Sequence, residues 1–206
     1  MLENQERILE KLENGAPVVH SIYLDLKREF DRCPFKLLIV RMKKAGITNK
    51  MLKFISNFLR DRTFQVIANG SISKGRPVLS GTPQGSGLSP VLFAIFIQSL
   101  AEILDERIKK LEAEGSTMVR GVKHFRDRFH YSMYADDVKL CASIVDESDM
   151  ETMQETLEVV FSWAESHGMK FSTGKTKCLK IGRETIIGNY RGAEGEVLEW
   201  EESLKD

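Results

Sequence analysis

The chain has 206 residues, 42% of them hydrophobic and 29% charged, enough for one sizeable domain or two small ones around a buried core. No apolar run approaches the ~20 residues of a membrane span, and the charged N-terminal stretch is neither a secretory signal nor a basic transit peptide, so the sequence predicts an intracellular, soluble protein in an unspecified compartment. Three scattered cysteines and four ungrouped histidines argue against a disulfide framework and against structural zinc.

Ile8, Leu9 and Leu12 give residues 3–13 one apolar side, the pattern of a short helix closed by Gly15 and Pro17. The run "VVHSIYLDL" (18–26) is compact, apolar and rich in β-branched residues, which predicts a buried strand. Residues 35–46 read as a helix closing on lysines and Gly46. Thr48 stands as the N-cap of the next, with Met51, Leu52, Ile55, Phe58 and Leu59 at helical spacing. Asn69-Gly70 marks a tight hairpin within 63–73. The glycine-rich loop "LSGTPQGSGLSP" (79–90) ends in Ser89 and Pro90, an N-cap and first turn for a long helix that is apolar at its start. A basic stretch at 119–130 leads into a strand-like hairpin, "HYSMYADDVKLCAS" (130–143), with Asp136 and Asp137 at or near its turn. Met150, Met153, Leu157, Val160, Phe161 and Ala164 mark a further helix, and residues 169–182 read as a second hairpin turning at Thr173 and Gly174. This order predicts an α/β or α+β sheet with helices packed on one face.

Neighbouring side chains of a strand point to opposite faces, so Asp136 and Asp137 can share a site only near a turn. Close carboxylates raise a pKa unless a cation sits between them, and a hard divalent ion such as Mg²⁺ suits an all-oxygen site. The alternative is a β-turn that simply favours aspartate. Asp25 ends an apolar strand, where an unpaired charge is costly unless a metal is shared with Asp136 or the strand stops at Leu24 and Asp25 faces water. Gly81, Gly85 and Gly87 let the 79–90 backbone approach a ligand closely, although the loop lacks the ending of a P-loop and also fits a plain polar connection. Eleven basic residues against three acidic ones between Lys27 and Arg62, and five against none between Lys170 and Arg183, fit a phosphate-facing surface as well as ordinary solvated helix faces.

In this order and spacing, "YLDLKREFDRCPFKLL", "SGTPQGSGLSPVLF", "YADD" and "WAESHGMKFSTGKTKCLKIGRE" resemble the palm of a reverse transcriptase, most closely of the non-long-terminal-repeat (LINE-type) retrotransposons. The resemblance runs from about Val19 to Ile181. It implies an antiparallel palm sheet with helices on one face, fingers and thumb largely missing. It also implies an N-terminal helix or linker at 1–17, a palm-like domain at 18–183 and an acidic tail at 184–206 that stops before the primer-grip element. The activity implied is RNA-directed DNA polymerisation, a two-metal nucleotidyl transfer to a primer 3′-hydroxyl within a retrotransposon polyprotein. Asp25, Asp136 and Asp137 would hold two Mg²⁺ ions, with Mn²⁺ a possible substitute, and Lys175 would lie near the triphosphate, with Lys177 a weaker choice. Phe30 would exclude the 2′-hydroxyl, while Pro83, Gln84 and Gly85 would pack on the nucleotide. The implied partners are an RNA template, a DNA primer and deoxynucleoside triphosphates, with no membrane, haem or zinc. The alternatives are a non-catalytic remnant that folds and at most binds nucleic acid, and a group II intron maturase-like fragment.

The chain departs from the family pattern at position 29, where Glu29 replaces a small residue, usually alanine. A carboxylate beside a triphosphate repels it in a partly dry site. Glu29→Ala, in a chain carrying the flanking polymerase segments, is expected to tighten deoxynucleotide binding severalfold, measured by titration; unchanged affinity would remove Glu29 from the site.

Overall fold

The computed structural model describes residues 2–114 and 129–201, so most of the basic stretch expected at 119–130 lies outside the described residues. The chain divides into two compact units: Met1–Lys27, Leu100–Glu165 and Lys170–Asp206 form one, and Arg28–Ser99 with Ser166–Met169 form the other.

In the first unit the apolar run after Pro17 becomes β1 (Val18–Asp25), the middle strand of a five-stranded sheet. The order is β6-β7-β1-β8-β9, with β6 at Phe129–Tyr134, β7 at Asp137–Ile144, β8 at Lys177–Gly182 and β9 at Glu199–Glu201. Pairing is antiparallel except between β8 and β9, which run parallel. Val18, Val19 and Ile22 are 0% exposed and Leu24 1%, so both faces of β1 are covered. This explains why its sequence is nearly continuous in apolar residues instead of alternating. Each such side chain contributes about 1.5–3 kcal/mol by leaving water.

The two faces are covered differently. On one, the Tyr131 hydroxyl of β6 donates to Asp105 Oδ1 at 2.7 Å on α5 (Ser89–Glu114). α5 is joined to α6 (Glu147–Ser166) by the Arg107–Glu155 ion pair, and α6 buries Met153, Leu157, Val160, Trp163 and Ala164. On the other face α1 (Leu2–Glu13) sets Ile8 against Val19 and Cys141. A small polar group is sealed beneath α1: His130 Nε2 donates to Asn4 Oδ1 at 2.8 Å, and Ser21 Oγ meets Cys141 Sγ at 3.1 Å. His130 Nδ1 is buried with no hydrogen-bond partner among the described residues.

Two elements differ from expectation. Residues 169–182 do not form a hairpin of their own, because both halves pair with β1. Phe171 bridges Leu26, Ser172 N–H donates to the Asp25 carbonyl at 2.8 Å, and β8 then pairs Lys177 with Tyr23. Six steps of chain from Phe171 to Lys177 thus answer three steps from Leu26 back to Tyr23, and the excess is looped out around Thr173-Gly174-Lys175. The apolar alternation looked like two strands because it is one strand interrupted. Residues 184–201, expected as a tail, are tied to the sheet. Ile186 O accepts from His20 Nε2 at 2.9 Å, which fixes the tautomer and leaves Nδ1 to accept from the Tyr190 hydroxyl at 2.7 Å. Trp200 stacks edge-on to the same imidazole.

The second unit contains α2 (Glu29–Arg32), α3 (Phe35–Lys44), α4 (Asn49–Leu59), the first turns of α5 and two small ribbons. Leu38 and Met42 of α3 and Ile55 and Leu59 of α4 are buried. The ribbons pair β2 (Thr63–Phe64) with β5 (Arg76–Pro77) and β3 (Ile67–Ala68) with β4 (Ser71–Ile72). Asn69 and Gly70 both have positive φ, 49° and 75°, as a type I′ turn demands. Thr48 occupies the cap position of α4 with extended backbone, but its side chain makes no capping bond. Ser89 opens α5, and its hydroxyl donates to the Pro83 carbonyl, tying the preceding loop to the start of the helix.

Burial, reinforced by the charges of Lys11, Arg7 and Lys139, lowers the pKa of His130 from 6.5 to about 3. A base whose folded pKa is depressed contributes stability that is complete above its unfolded pKa and is lost as pH falls from there toward the folded value. Thermal melts are therefore expected to weaken below about pH 6.5, at up to ~1.4 kcal/mol per pH unit for this group. His130→Gln is expected to make that acid limb shallower; an unchanged slope would show that His130 is not its source.

Candidate metal centre and nucleotide loop

The hairpin that carries the paired aspartates is as tight as a hairpin can be. Tyr134 pairs with Asp137, which leaves Ala135 and Asp136 as a two-residue turn. Ala135 takes φ 53°, a left-handed conformation that costs an L-residue with a Cβ roughly 1–2 kcal/mol. The turn removes the strand alternation between Asp136 and Asp137, and the register of β1 with β7 sets Asp25 directly opposite Asp137. One carboxylate oxygen from each of Asp25, Asp136 and Asp137 lies within 4.8 Å of the other two. Like charges directly opposed across strands are destabilising. The effect is visible at Asp137, whose pKa is raised first by lost hydration and then by the charges of Asp136 and Asp25.

The looped-out residues between Phe171 and Lys177 bring a cation to this cluster. Lys175 N–H and Thr176 N–H both donate to Ser172 O, and Ser172 N–H is itself bonded to Asp25 O, so the loop is tethered to the end of β1. Lys175 Nζ lies 3.3 Å from Oδ1 and 3.2 Å from Oδ2 of Asp25. That hydrogen bond and the Asp25 charge push the Lys175 pKa up. Lys177 is placed differently: it pairs with Glu199 and, at 3.4 Å, with Glu201 on β9. Two residues before Asp25 and two after Asp137, Lys139 Nζ sits 4.2 Å over the Tyr23 ring. Sequence reasoning passed over this pair, although the step of two residues from each aspartate placed both on the same sheet face as soon as the register was known.

In the second unit the glycine-rich loop is docked on α2 and the residues flanking it. Gly81 N–H donates to Cys33 O at 2.8 Å and Thr82 N–H to Phe30 O at 2.7 Å. Gly81 has φ 85°, and a Cβ there would lie 2.7 Å from backbone atoms of Phe30 and Asp31. Gln84 is exposed and donates through Nε2 to Asp31 Oδ1 at 3.1 Å, while Pro83 is half-buried and Gly85 exposed with φ 80°. Asp31 was not named as a site residue from the sequence, although it lies within the quoted segment "YLDLKREFDRCPFKLL". The Phe30 ring packs on Phe93 with centroids 5.3 Å apart. Arg62, counted with the basic stretch, has an inward role: it donates to Leu59 O and Gly81 O and covers the Phe35 ring.

The mixed sheet with its flanking helices defines a polymerase palm-type fold. It is similar to telomerase from Candida tropicalis, with a TM-score of 0.59 and 16% identity over 90% of this chain and 36% of that one. Telomerase from Candida albicans in complex with a fragment of telomeric RNA is similar at a TM-score of 0.59, over 89% of this chain and 31% of that one. Residues 3–197 match the family described as reverse transcriptase (RNA-dependent DNA polymerase), and the chain belongs to that family. Among its relatives are proteins of non-LTR retrotransposons. It is 28% identical over 170 residues to the RNA-directed DNA polymerase from mobile element jockey of Drosophila funebris, which covers 81% of this chain and 16% of that protein. It is 25% identical over 169 residues to the Pol polyprotein of the type-1 retrotransposable element R2 of Popillia japonica, which covers 81% and 25% respectively. The chain thus spans a quarter or less of the length of these relatives. Divalent metal use is general in the family. No helix among the described residues is long and apolar enough to cross a membrane.

Gly81→Ala combines a left-handed φ with a clash against backbone and is expected to destabilise the second unit by about 3 kcal/mol or more. Denaturant melts followed by the far-ultraviolet circular dichroism of its helices would measure it; a loss below about 1 kcal/mol would mean the loop relaxes away from α2.

Proposed function

We propose that this chain is the palm of an RNA-directed DNA polymerase, transferring deoxynucleotides to a primer 3′-hydroxyl on an RNA template as part of a retrotransposon polyprotein. The observation that carries the proposal is the gathering of Asp25, Asp136 and Asp137, one oxygen each within 4.8 Å, in a chain of the reverse transcriptase family. The donor set fits a hard divalent cation: three acceptor-only carboxylates, no sulfur or imidazole, and a mutual repulsion that positive charge would relieve. Two Mg²⁺ ions, or Mn²⁺ in their place, would be held by Asp25 and Asp136, with Asp137 at the periphery. Bound there, such ions lower the pKa of a hydroxyl nucleophile and neutralise charge on a transferring phosphoryl group.

The remaining roles belong to the chain's own residues. β1 and the β6–β7 turn hold the carboxylates at fixed spacing, so no reorganisation is needed as charge develops. Lys175, on its tethered loop, offers an ammonium to phosphate oxygens. Phe30, braced by Phe93, presents a ring of fixed orientation that would exclude a ribose 2′-hydroxyl. Gln84, exposed and with its Nε2 engaged by Asp31, would meet a nucleotide and template base together with Pro83 and Gly85. On this reading residues 18–183 are the palm-like domain, preceded by an N-terminal helix or linker at 1–17.

Extension of a DNA primer on poly(rA) with Mg²⁺, by a chain carrying the flanking polymerase segments, tests the reading. Asp136→Asn is expected to lower incorporation by about a hundredfold or more, the scale of losing one preorganised charged group. Equal incorporation by the two proteins would defeat the assignment.

A further inference from the structure

Lys175 and Asp25 are 150 positions apart, yet the ammonium straddles both carboxylate oxygens, at 3.3 and 3.2 Å. Asp25 is well covered, its side chain 19% exposed, whereas Lys175 is 70% exposed. The fixed partner is therefore the aspartate, and the mobile one is a solvated four-carbon stem. A cation bound by Asp25 would compete for the oxygens that Lys175 now faces. Among the described residues the other two carboxylates have no comparable occupant: the structure brings Lys175 into hydrogen-bonding distance of Asp25, while its influence on Asp136 and Asp137 is through charge at longer range.

Accepting the metal-centre reading above, we propose that Lys175 is the resident counter-cation of Asp25, displaced when a divalent ion binds and thereby released toward the phosphate oxygens of an incoming nucleotide. The geometry makes the exchange short. The Lys175 backbone is held through Ser172 to the Asp25 backbone, so the displaced ammonium stays within a side-chain length of the site. The exchange is also easy, because an exposed ion pair of this kind is screened by water and holds weakly. Lys175 on this account plays opposite parts in two steps. It competes with the bare metal and assists the metal–triphosphate complex. A lysine with a purely structural role would affect both steps in the same direction or neither.

The test is Mn²⁺ binding to the whole chain, followed by calorimetry and by the electron paramagnetic resonance signal of free Mn²⁺, for wild type, Lys175→Met, Lys175→Arg and Asp25→Asn. Lys175→Met keeps an unbranched side chain, shorter by one atom, and removes the charge. It is expected to bind Mn²⁺ roughly two- to fivefold tighter than wild type, and to bind a non-reacting deoxynucleoside triphosphate with Mn²⁺ more weakly. Lys175→Arg should restore wild-type behaviour on the first measure. Equal or weaker Mn²⁺ binding by Lys175→Met, with wild type binding saturably, would overturn the counter-cation role and leave the metal centre standing. Saturable binding absent from wild type and Lys175→Met, or unaffected in Asp25→Asn, would overturn the metal centre and this role with it.

Discussion

The register of β1 against β7 is the constraint on which the first unit's chemistry depends. Val18 through Asp25 pair in order with Ile144 back to Asp137, so the last residue of the buried strand faces the first residue after the hairpin turn. A slip of one residue would turn every side chain of β1 to the opposite face, undoing the packing of Val18, Ile22 and Leu24 and moving Asp25 away from its partners. The hydrophobic effect thus fixes the position of a charged group. The burial of four aliphatic side chains on β1 stabilises the pairing by more than the opposition of two carboxylates costs.

The same strand organises what surrounds the acids. On its other edge β1 is paired first with the segment around Phe171 and then with β8, and the mismatch between those two stretches ejects the loop that carries Lys175. A continuous strand would have given Lys175 an ordinary sheet position. An interrupted one lifts it above the strand end, where Asp25 is. Lys177, still in the ladder, is drawn to Glu199 and Glu201 instead. Two lysines two residues apart therefore have unrelated tasks, and the difference is set by backbone pairing alone.

In the second unit a similar economy places the glycine-rich loop. The loop around Gly81 gives its N–H groups to carbonyls at the ends of α2, its glycine fills a space with no room for a Cβ, and Arg62 binds the Gly81 carbonyl. Ser89 pins the other end of the loop by bonding Pro83 O. Rigid support from backbone contacts leaves the Gln84 side chain free to be positioned by one acid, Asp31. A basic residue in a basic stretch is not thereby a phosphate ligand: Arg62 is spent on holding this loop together.

Much of this was legible in the sequence because it rests on local rules. The apolar run of β1, the Asn69-Gly70 turn, the helical spacing of α3, α4 and α6 and the adjacency of Asp136 and Asp137 each follow from side-chain periodicity or turn chemistry. Family likeness then named Asp25, Lys175 and the Pro83–Gly85 loop as a set. The rest depended on contacts between distant segments, which periodicity cannot encode. Residues 169–182 read as a hairpin because an interrupted strand and a strand pair share the same alternation. The bond from the Ser89 hydroxyl to Pro83 O left no mark in the local pattern, because the loop's path supplies that carbonyl. The Lys139–Tyr23 stack and the support of Gln84 by Asp31 had no local sign at all. By itself the sequence determined which residues could bear charge, turn the chain or fill the core. Tertiary structure decided which charges meet, because the distance between Asp25, Asp137 and Lys175 is set by strand register, a property of pairs of segments that neither possesses alone.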